Sequence, residues 1–305
     1  KITKREFSGK AKKGQVRIQA VTPNQGDTKM TCHYPKDTYY TGRTTEKGKR
    51  ETTRDPRKAH RTSEGFPTPC GKCPGCLGDR KREWGLRAVA ESHYYQRNAF
   101  VTFTYDEENV PEDGRISRQE LKRAIDDIRK ESKMKLRYLA CGEYGETYGR
   151  PHYHAVFFGQ DFLVNTDQVG PNRWKSGWLE DIWQKGMVEV STLTPELCFY
   201  TAGYVEKKAG DEDTFSSKSK NLGKRYAEEF ASEIVANGGI VINGRPSGVP
   251  RIFFEWFPEK YAPLKRERTQ YAIEKGYLET LEEVHQRVKI HHNKQLNKPI
   301  NHRAF

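Results

Sequence analysis

Two histidines separated by one residue, His152 and His154, have the spacing that most plainly predicts chemistry in this chain. They fall in Pro151–Phe158, whose aromatic and β-branched residues predict a strand, so both side chains leave one face of it. The segment Arg137–Glu143 predicts a second strand, and the glycine-bearing polar stretch between the two predicts a turn. If the strands pair as a hairpin, Glu143 lies near the imidazoles. Two histidines and one carboxylate predict a divalent-metal site with open positions.

The alternative is that His152 and His154 are surface or hydrogen-bonded residues, as most such pairs on strands are. The apolar run Ala155–Phe158 favours the metal site, because a buried run fixes the face on which the histidines lie.

A second group with catalytic spacing lies on a predicted helix that begins after its cap, Thr194. Tyr200 and Tyr204 are four residues apart, so their Cβ atoms lie roughly 6 Å apart on one helix face. Lys207 and Lys208 follow one turn later. Taken alone, such a tyrosine pair is more often a core or surface feature than a catalytic one.

A cluster of cysteines predicts a zinc knuckle. Cys70, Cys73 and Cys76 are separated by two-residue gaps, a spacing that lets neighbouring thiolates face one zinc ion. A closed tetrahedral site needs a fourth ligand, and Cys32 or His33 is the candidate. The alternative is a turn that carries reduced, free cysteines.

The charge of the chain favours a nucleic-acid partner. Its 305 residues contain 54 Lys and Arg against 41 Asp and Glu, a net charge of +13, and a balance this basic favours a polyanion. No apolar run approaches the ~20 residues of a membrane span, and no signal-peptide pattern opens the chain. We therefore expect no membrane partner, and the cysteine spacing suits a reducing cytoplasm.

The remaining patterns predict an α+β fold with a mainly antiparallel sheet. Three tryptophans, Trp174, Trp178 and Trp183, offer stacking surfaces for unpaired bases, although core positions are the alternative for at least one. The other predicted elements are a helix over 79–97, a strand over 98–105, a helix over 118–131 capped by Ser117, a strand over 186–193, a short strand over 240–243 and a mobile charged loop over 41–61.

Four blocks of sequence carry a resemblance to a known family. They are PCGKCPGC at 69–76, FVTFTY at 100–105, LACGEYGETYGRPHYHAVFFG at 139–159 and YTAGYVEKK at 200–208. In order and spacing they resemble the replication initiators of small single-stranded DNA phages of the microvirus group (Microviridae), most closely the gokushovirus type, within the HUH endonuclease superfamily.

The resemblance implies a central antiparallel sheet of about five strands with flanking helices, of RRM-like or ferredoxin-like topology. It also implies a division of the chain into a flexible N-terminal extension (1–29), a cysteine-containing region with a basic helix (30–97), an HUH endonuclease core (98–210) and a basic C-terminal region that packs on or extends from the core (211–305).

In such a protein Glu143, His152 and His154 would bind Mg²⁺ or Mn²⁺. Tyr200 and Tyr204 match the paired nucleophiles of two-tyrosine members, which form a covalent 5′-phosphotyrosine bond. Lys207 matches the lysine that follows them, with Lys208 the weaker match. The set Cys32, Cys70, Cys73 and Cys76 remains the candidate structural zinc site.

The resemblance implies a rolling-circle initiator that nicks and rejoins single-stranded origin DNA and leaves a 3′-hydroxyl primer. Its partners would be the host DNA polymerase and helicase, since the sequence shows no nucleotide-binding G-x-x-x-x-G-K-[ST] loop, and it would act in the cytoplasm of the bacterial host. Two alternatives stay open: a plasmid Rep or transposase relative, and a non-catalytic zinc-knuckle protein that binds nucleic acid.

Overall fold

The computed structural model describes residues 31–46, 48–145, 148–204, 214–276 and 281–296. The predictions made for residues 1–29, Lys207 and Lys208 lie outside the described residues. Within the described part of the chain, no helix is both long enough and apolar enough to cross a bilayer.

A seven-stranded antiparallel sheet forms the centre of the protein and confirms the α+β class. Its spatial order is β10-β5-β6-β4-β9-β8-β7, so the strand with the histidine pair, β6, lies between two long strands. The seven strands are β4 (Asn98–Thr104), β5 (Arg137–Tyr144), β6 (Pro151–Phe158), β7 (Thr166–Gly170), β8 (Arg173–Ser176), β9 (Val188–Thr192) and β10 (Phe215–Lys218).

The sheet has two strands more than the expected five, because three short polar strands were not predicted. β7, β8 and β10 read TDQVG, RWKS and FSSK, and none carries an apolar run. All three lie at or next to an edge of the sheet, where polar side chains are favoured because they block further strand pairing. The four predicted strands, by contrast, include the buried centre of the sheet.

One face of the sheet packs against α2 (Arg118–Ser132) and α3 (Gly177–Trp183). Alternation along β4 sends Val101 and Phe103 into this core. The predicted cap of α2 is confirmed, since the Ser117 hydroxyl accepts a hydrogen bond of 3.3 Å from the backbone N–H of Glu120. The predicted apolar stripe of α2 is buried as well: Leu121, Ala124, Ile125 and Ile128.

The opposite face packs against α1 (Pro74–Ser92) and α4 (Pro195–Tyr204). The two helices approach closely at Gly85, where a Cβ atom would lie 2.2 Å from the Phe199 ring. The prediction that α1 begins at residue 79 was wrong. Pro74 occupies the first helical turn, where its missing N–H costs nothing, and the glycines beside it conceal the helical pattern.

Further helices pack on α1 from its outer side and form a second core, which includes Leu86, Phe253 and Tyr261. A short hairpin lies among them. These elements are α5 (Lys224–Glu229), α6 (Ala231–Asn237), β11 (Val241–Ile242), β12 (Arg245–Pro246), α7 (Arg251–Trp256) and α8 (Ala262–Glu274), and α9 (Leu281–Leu296) follows them.

A separate three-stranded sheet precedes α1 and corrects the expectation of a mobile loop over 41–61. It consists of β1 (Lys36–Thr44), β2 (Arg50–Thr53) and β3 (Phe66–Thr68), in the order β2-β1-β3. The Tyr40 and Phe66 rings pack at 4.6 Å between centroids. The high charge of this stretch concealed the threonines and tyrosines that favour strand structure.

Candidate metal centre and nucleophile helix

The register of the central strands brings the three predicted metal ligands together. Glu143 on β5 lies opposite His152 on β6, so the predicted hairpin places the carboxylate beside the histidines. On the other side of β6, Thr102 of β4 lies opposite His154. The three candidate ligand atoms all lie within 4.8 Å of one another.

The distances within this cluster suit the ligands of a small divalent cation. The Glu143 Oε1 atom lies 3.1 Å from His152 Nε2 and 2.7 Å from His154 Nε2. Adjacent ligands of an octahedral ion with bonds of 2.0–2.1 Å lie about 3 Å apart. Glu143 and His154 are buried, whereas the His152 side chain keeps 19% of its surface exposed. The cluster is therefore open to solvent on the His152 side.

The outer nitrogens of the histidines are held by other groups, as is usual for metal ligands. His152 Nδ1 lies 3.1 Å from the Arg150 carbonyl oxygen and His154 Nδ1 lies 3.0 Å from the Thr102 hydroxyl. A carbonyl only accepts, so His152 Nδ1 carries the proton, and in a neutral ring Nε2 then has a lone pair. That lone pair faces the Glu143 carboxylate, an arrangement that needs a proton or a metal ion between the two.

The charges of the cluster are coupled. Burial acts to raise the pKa of Glu143, but hydrogen bonds from His152 and His154 outweigh it and hold that pKa below its usual value. Burial likewise acts to lower the pKa of His152, yet the hydrogen bond to Glu143 raises it overall. For His154 burial prevails, and its pKa is lowered. The centre thus retains an ionised carboxylate and one readily neutral imidazole, both suited to binding a cation.

The predicted nucleophile helix, α4, lies directly against this cluster. The Tyr200 ring packs edge-on against His154, with 5.3 Å between ring centroids, and 39% of Tyr200 is exposed. Phe100 of β4 stacks on the other side of His154 at 5.2 Å. Thr194 caps the helix as predicted, since its hydroxyl accepts from the Leu197 N–H. Tyr204 is the last residue of α4.

The four candidate zinc ligands also converge, and Cys32 rather than His33 completes the set. The sulfur atoms of Cys32, Cys70, Cys73 and Cys76 all lie within 4.8 Å of one another. The zinc prediction therefore has its four donors in one place.

The tryptophans are divided between the core and the surface. Trp183 is buried and donates a hydrogen bond of 2.8 Å to the Thr104 carbonyl, so the expectation that it offers a stacking surface for bases was wrong. Trp178 packs against the same core and stacks on Phe162. Trp174, on β8, is partly exposed.

Two residues that touch the cluster were missed by the sequence analysis. Thr102 and Phe100 contact His154 from the neighbouring strand. Both lie at alternate positions of FVTFTY, the block in which Thr102 and Thr104 interrupt an apolar pattern. That polar alternation was a usable signal, but its meaning depends on the register between β4 and β6.

The fold and the site together define a class. An antiparallel sheet flanked by helices, with a histidine pair on its central strand, is compatible with an HUH endonuclease fold. Residues 98–209 match the family model of the phage replication-associated protein ORF2. No solved structure gives a significant match.

Three phage proteins are similar to most of the chain. It is 32% identical over 232 residues to the replication-associated protein ORF2 of Spiroplasma virus 4, which covers 66% of this chain and 72% of that protein. It is 29% identical over 224 residues to the replication-associated protein VP4 of Bdellovibrio phage phiMH2K, covering 64% and 70%. It is 29% identical over 214 residues to the replication-associated protein ORF4 of Chlamydia phage 1, covering 62% and 53%. The chain therefore belongs to the family of phage replication-associated proteins, which confirms the resemblance.

Proposed function

We propose that this protein is a rolling-circle replication initiator, a metal-dependent endonuclease that nicks and rejoins single-stranded origin DNA. One observation carries the proposal: a tyrosine of α4 packs on a histidine whose ring nitrogen faces the carboxylate of Glu143. A nucleophile and a cation site in contact are the two parts that cleavage of a phosphodiester requires.

Glu143, His152 and His154 would hold the metal ion, which supplies charge to polarise the scissile phosphate. Two imidazoles favour Mn²⁺ over Mg²⁺, since Mg²⁺ prefers oxygen ligands. Thr102 and the Arg150 carbonyl would fix the two rings so that both Nε2 atoms face the ion.

Cleavage exchanges one phosphodiester bond for another. The phenolic oxygen of Tyr200 or Tyr204 loses its proton to solvent and forms a bond to phosphorus, and the bond from phosphorus to the 3′-oxygen breaks. The 3′-oxygen takes up a proton and becomes a free hydroxyl, while the 5′-phosphate stays on the tyrosine. Because the reaction conserves a phosphodiester bond, attack by a 3′-hydroxyl reverses it and rejoins the strand without ATP.

Two tyrosines would allow a second cleavage while the first is still esterified. Tyr200 and Tyr204 are one helical turn apart on α4, so each phenol could serve the same metal centre in turn. Lys207 would neutralise the phosphate.

The wider functional context rests on charge and on the family. A net charge of +13 suits binding to the DNA backbone. The three phage relatives are named replication-associated. We infer that the host polymerase extends the 3′-hydroxyl, that a host helicase unwinds the duplex, and that the protein acts in the host cytoplasm.

The test is formation of a covalent protein–DNA adduct. Full-length protein is incubated with labelled single-stranded origin DNA and Mn²⁺, and the adduct is resolved on a denaturing gel. Wild type should form the adduct, EDTA should prevent it, and Tyr200→Phe combined with Tyr204→Phe should abolish it. Mass spectrometry of the adduct from each single variant identifies the nucleophile.

A matched control is Tyr148→Phe, because Tyr148 lies on the turn after β5 and is 92% exposed. This variant should form the adduct at the wild-type rate. An undiminished adduct in the double tyrosine variant would contradict the nucleophile assignment. A wild type that binds DNA and Mn²⁺ but forms no adduct would favour the non-catalytic alternative.

A further inference from the structure

We infer that Cys32, Cys70, Cys73 and Cys76 bind one Zn²⁺ ion, which ties the N-terminal sheet to the start of α1. Only tertiary structure brings these residues together, since Cys32 precedes β1 and the other three lie after β3 and in the first turn of α1. The ion would have a structural role, distinct from that of the cation at Glu143.

The sulfur positions match those of a tetrahedral zinc site. Cys70 Sγ lies 3.9 Å from Cys76 Sγ, and Cys73 Sγ lies 3.8 Å from Cys32 Sγ. Four sulfurs bonded to zinc at 2.3 Å lie about 3.8 Å apart. Three of the cysteines are buried and Cys70 is partly buried, so the site is closed, as structural zinc sites are.

Backbone N–H groups point at the sulfur atoms and would stabilise thiolates. The His33 N–H donates to Cys73 Sγ at 3.3 Å, and the Cys70 N–H donates to Cys32 Sγ at 3.2 Å. The N–H groups of Lys72 and Cys73 both donate to Cys70 Sγ. Four thiolates this close repel one another strongly unless a cation lies among them.

Disulfides do not explain the cluster. All six cysteines of the chain lie in its described part and none is in a disulfide, and the sulfur pairs lie well beyond a bond of about 2.05 Å. Four soft sulfur ligands in tetrahedral positions select zinc or iron among common metals. Zinc is the choice for a closed four-cysteine site at the start of a helix, because structural zinc sites are of this kind.

The site fastens the chain before β1 onto α1. Thr31 lies across the first turn of α1 so closely that a Cβ atom at Gly75 would be 2.0 Å from its carbonyl oxygen. The Thr31 hydroxyl also donates to the Asp79 carboxylate. Loss of the ion would remove the bonds that hold this crossing in place.

The site also supports α4, a consequence that rests on the proposed function. α1 runs along α4, with Gly85 against Phe199 and the Lys81 side chain against Gly203. A displaced α1 would shift Tyr200 relative to His154, and misplacing a nucleophile by about 1 Å costs up to about 100-fold in rate. Zinc loss should therefore slow nicking while the ligands for Mn²⁺ remain intact.

The test begins with the metal content of the full-length wild type purified with zinc, measured by plasma mass spectrometry. We expect about one tightly held zinc ion per chain. Cobalt exchange should give the sulfur-to-cobalt charge-transfer absorption of a thiolate site. Stoichiometric iron, zinc-free protein or a disulfide found by peptide mapping would overturn the inference.

Variants then assign the ion to its ligands. Cys32→Ser should lose the zinc and the cobalt–thiolate absorption, whereas Cys198→Ala, at a buried cysteine outside the cluster, should retain both. His154→Ala should also retain the zinc; zinc lost with His154 but kept in Cys32→Ser would place it at the other cluster. These metal readouts stand even if wild type proves unable to nick DNA, so the two proposals fail separately.

Discussion

The two ligand clusters of this protein differ in almost every property that decides what a metal ion can do. Glu143, His152 and His154 offer nitrogen and oxygen from two paired strands, with one side exposed. The cysteine cluster offers four sulfurs from a loop and a helix end and is closed. Three ligands leave positions for a substrate, whereas four thiolates leave none. The first arrangement suits chemistry and the second suits architecture.

The helix α1 connects the two regions. Its first turn carries Cys76, and its middle packs at Gly85 on the helix that carries Tyr200. The contrast therefore predicts which changes disturb chemistry alone and which reach it through packing.

The largest effect should come from His154→Ala. Removal of a buried ligand should slow adduct formation on the order of 10³-fold, since the charge that a metal supplies is worth several kcal/mol. Zinc content should not change. His285→Ala is the matched control, because His285 is exposed and pairs with Asp37 at 3.1 Å. Normal nicking by His154→Ala with ordinary metal dependence would remove the metal assignment.

Thr102→Val should have a smaller effect on the same site. It removes the hydroxyl that lies 3.0 Å from His154 Nδ1, and loss of such a partner lowers metal affinity about 10–100-fold. Titration calorimetry with Mn²⁺ measures the change. Thr102→Ser should restore binding, and Thr104→Val, whose hydroxyl bonds the Met187 carbonyl, should leave it unaltered. Equal losses at both threonines would mean a general packing defect.

Two glycines of α1 separate packing from helix propensity. Gly85→Ala places a Cβ 2.2 Å from Phe199, and overpacking of this kind costs about 1–3 kcal/mol. Gly78→Ala, on the same helix, places a Cβ with no neighbouring atom within 4 Å beyond the adjacent helix backbone, and should stabilise by about 1 kcal/mol. Thermal unfolding compares the two. A Gly85→Ala variant as stable as Gly78→Ala would show that the α1–α4 contact is loose.

The smallest effect is a pH dependence of Mn²⁺ binding. Burial acts to lower the pKa of His152, but the hydrogen bond to Glu143 raises it overall. A protonated ring cannot bind a cation, so affinity should fall about tenfold per pH unit below that raised pKa and level off above it. Electron paramagnetic resonance of free Mn²⁺ follows this. Affinity that is constant across that range would show that His152 is not a ligand.

Much of the metal centre could be predicted because its ligands are local in sequence. The two-residue period of a strand places His152 and His154 on one face, and one short turn brings Glu143 alongside. Thr102 could not be assigned, since its role depends on how β4 aligns with β6.

The cysteine cluster and the sheet edges show the limits from the other side. Cys32 lies 38 residues before Cys70, so spacing alone left His33 an equal candidate. The strands β7, β8 and β10 are held by neighbours rather than by their own apolar residues, and their sequences carry little signal. The start of α1 was missed for a related reason: Pro74 and its glycines look like a turn until tertiary contacts fix them.

The most direct test is anomalous X-ray scattering from crystals of the full-length protein that contain both Mn²⁺ and Zn²⁺, with data collected at each absorption edge. The account predicts a manganese peak bounded by Glu143 Oε1 and the Nε2 atoms of His152 and His154, and a zinc peak at the centre of the four sulfur atoms. Manganese absent from the first site, or the two metals in exchanged places, would contradict it.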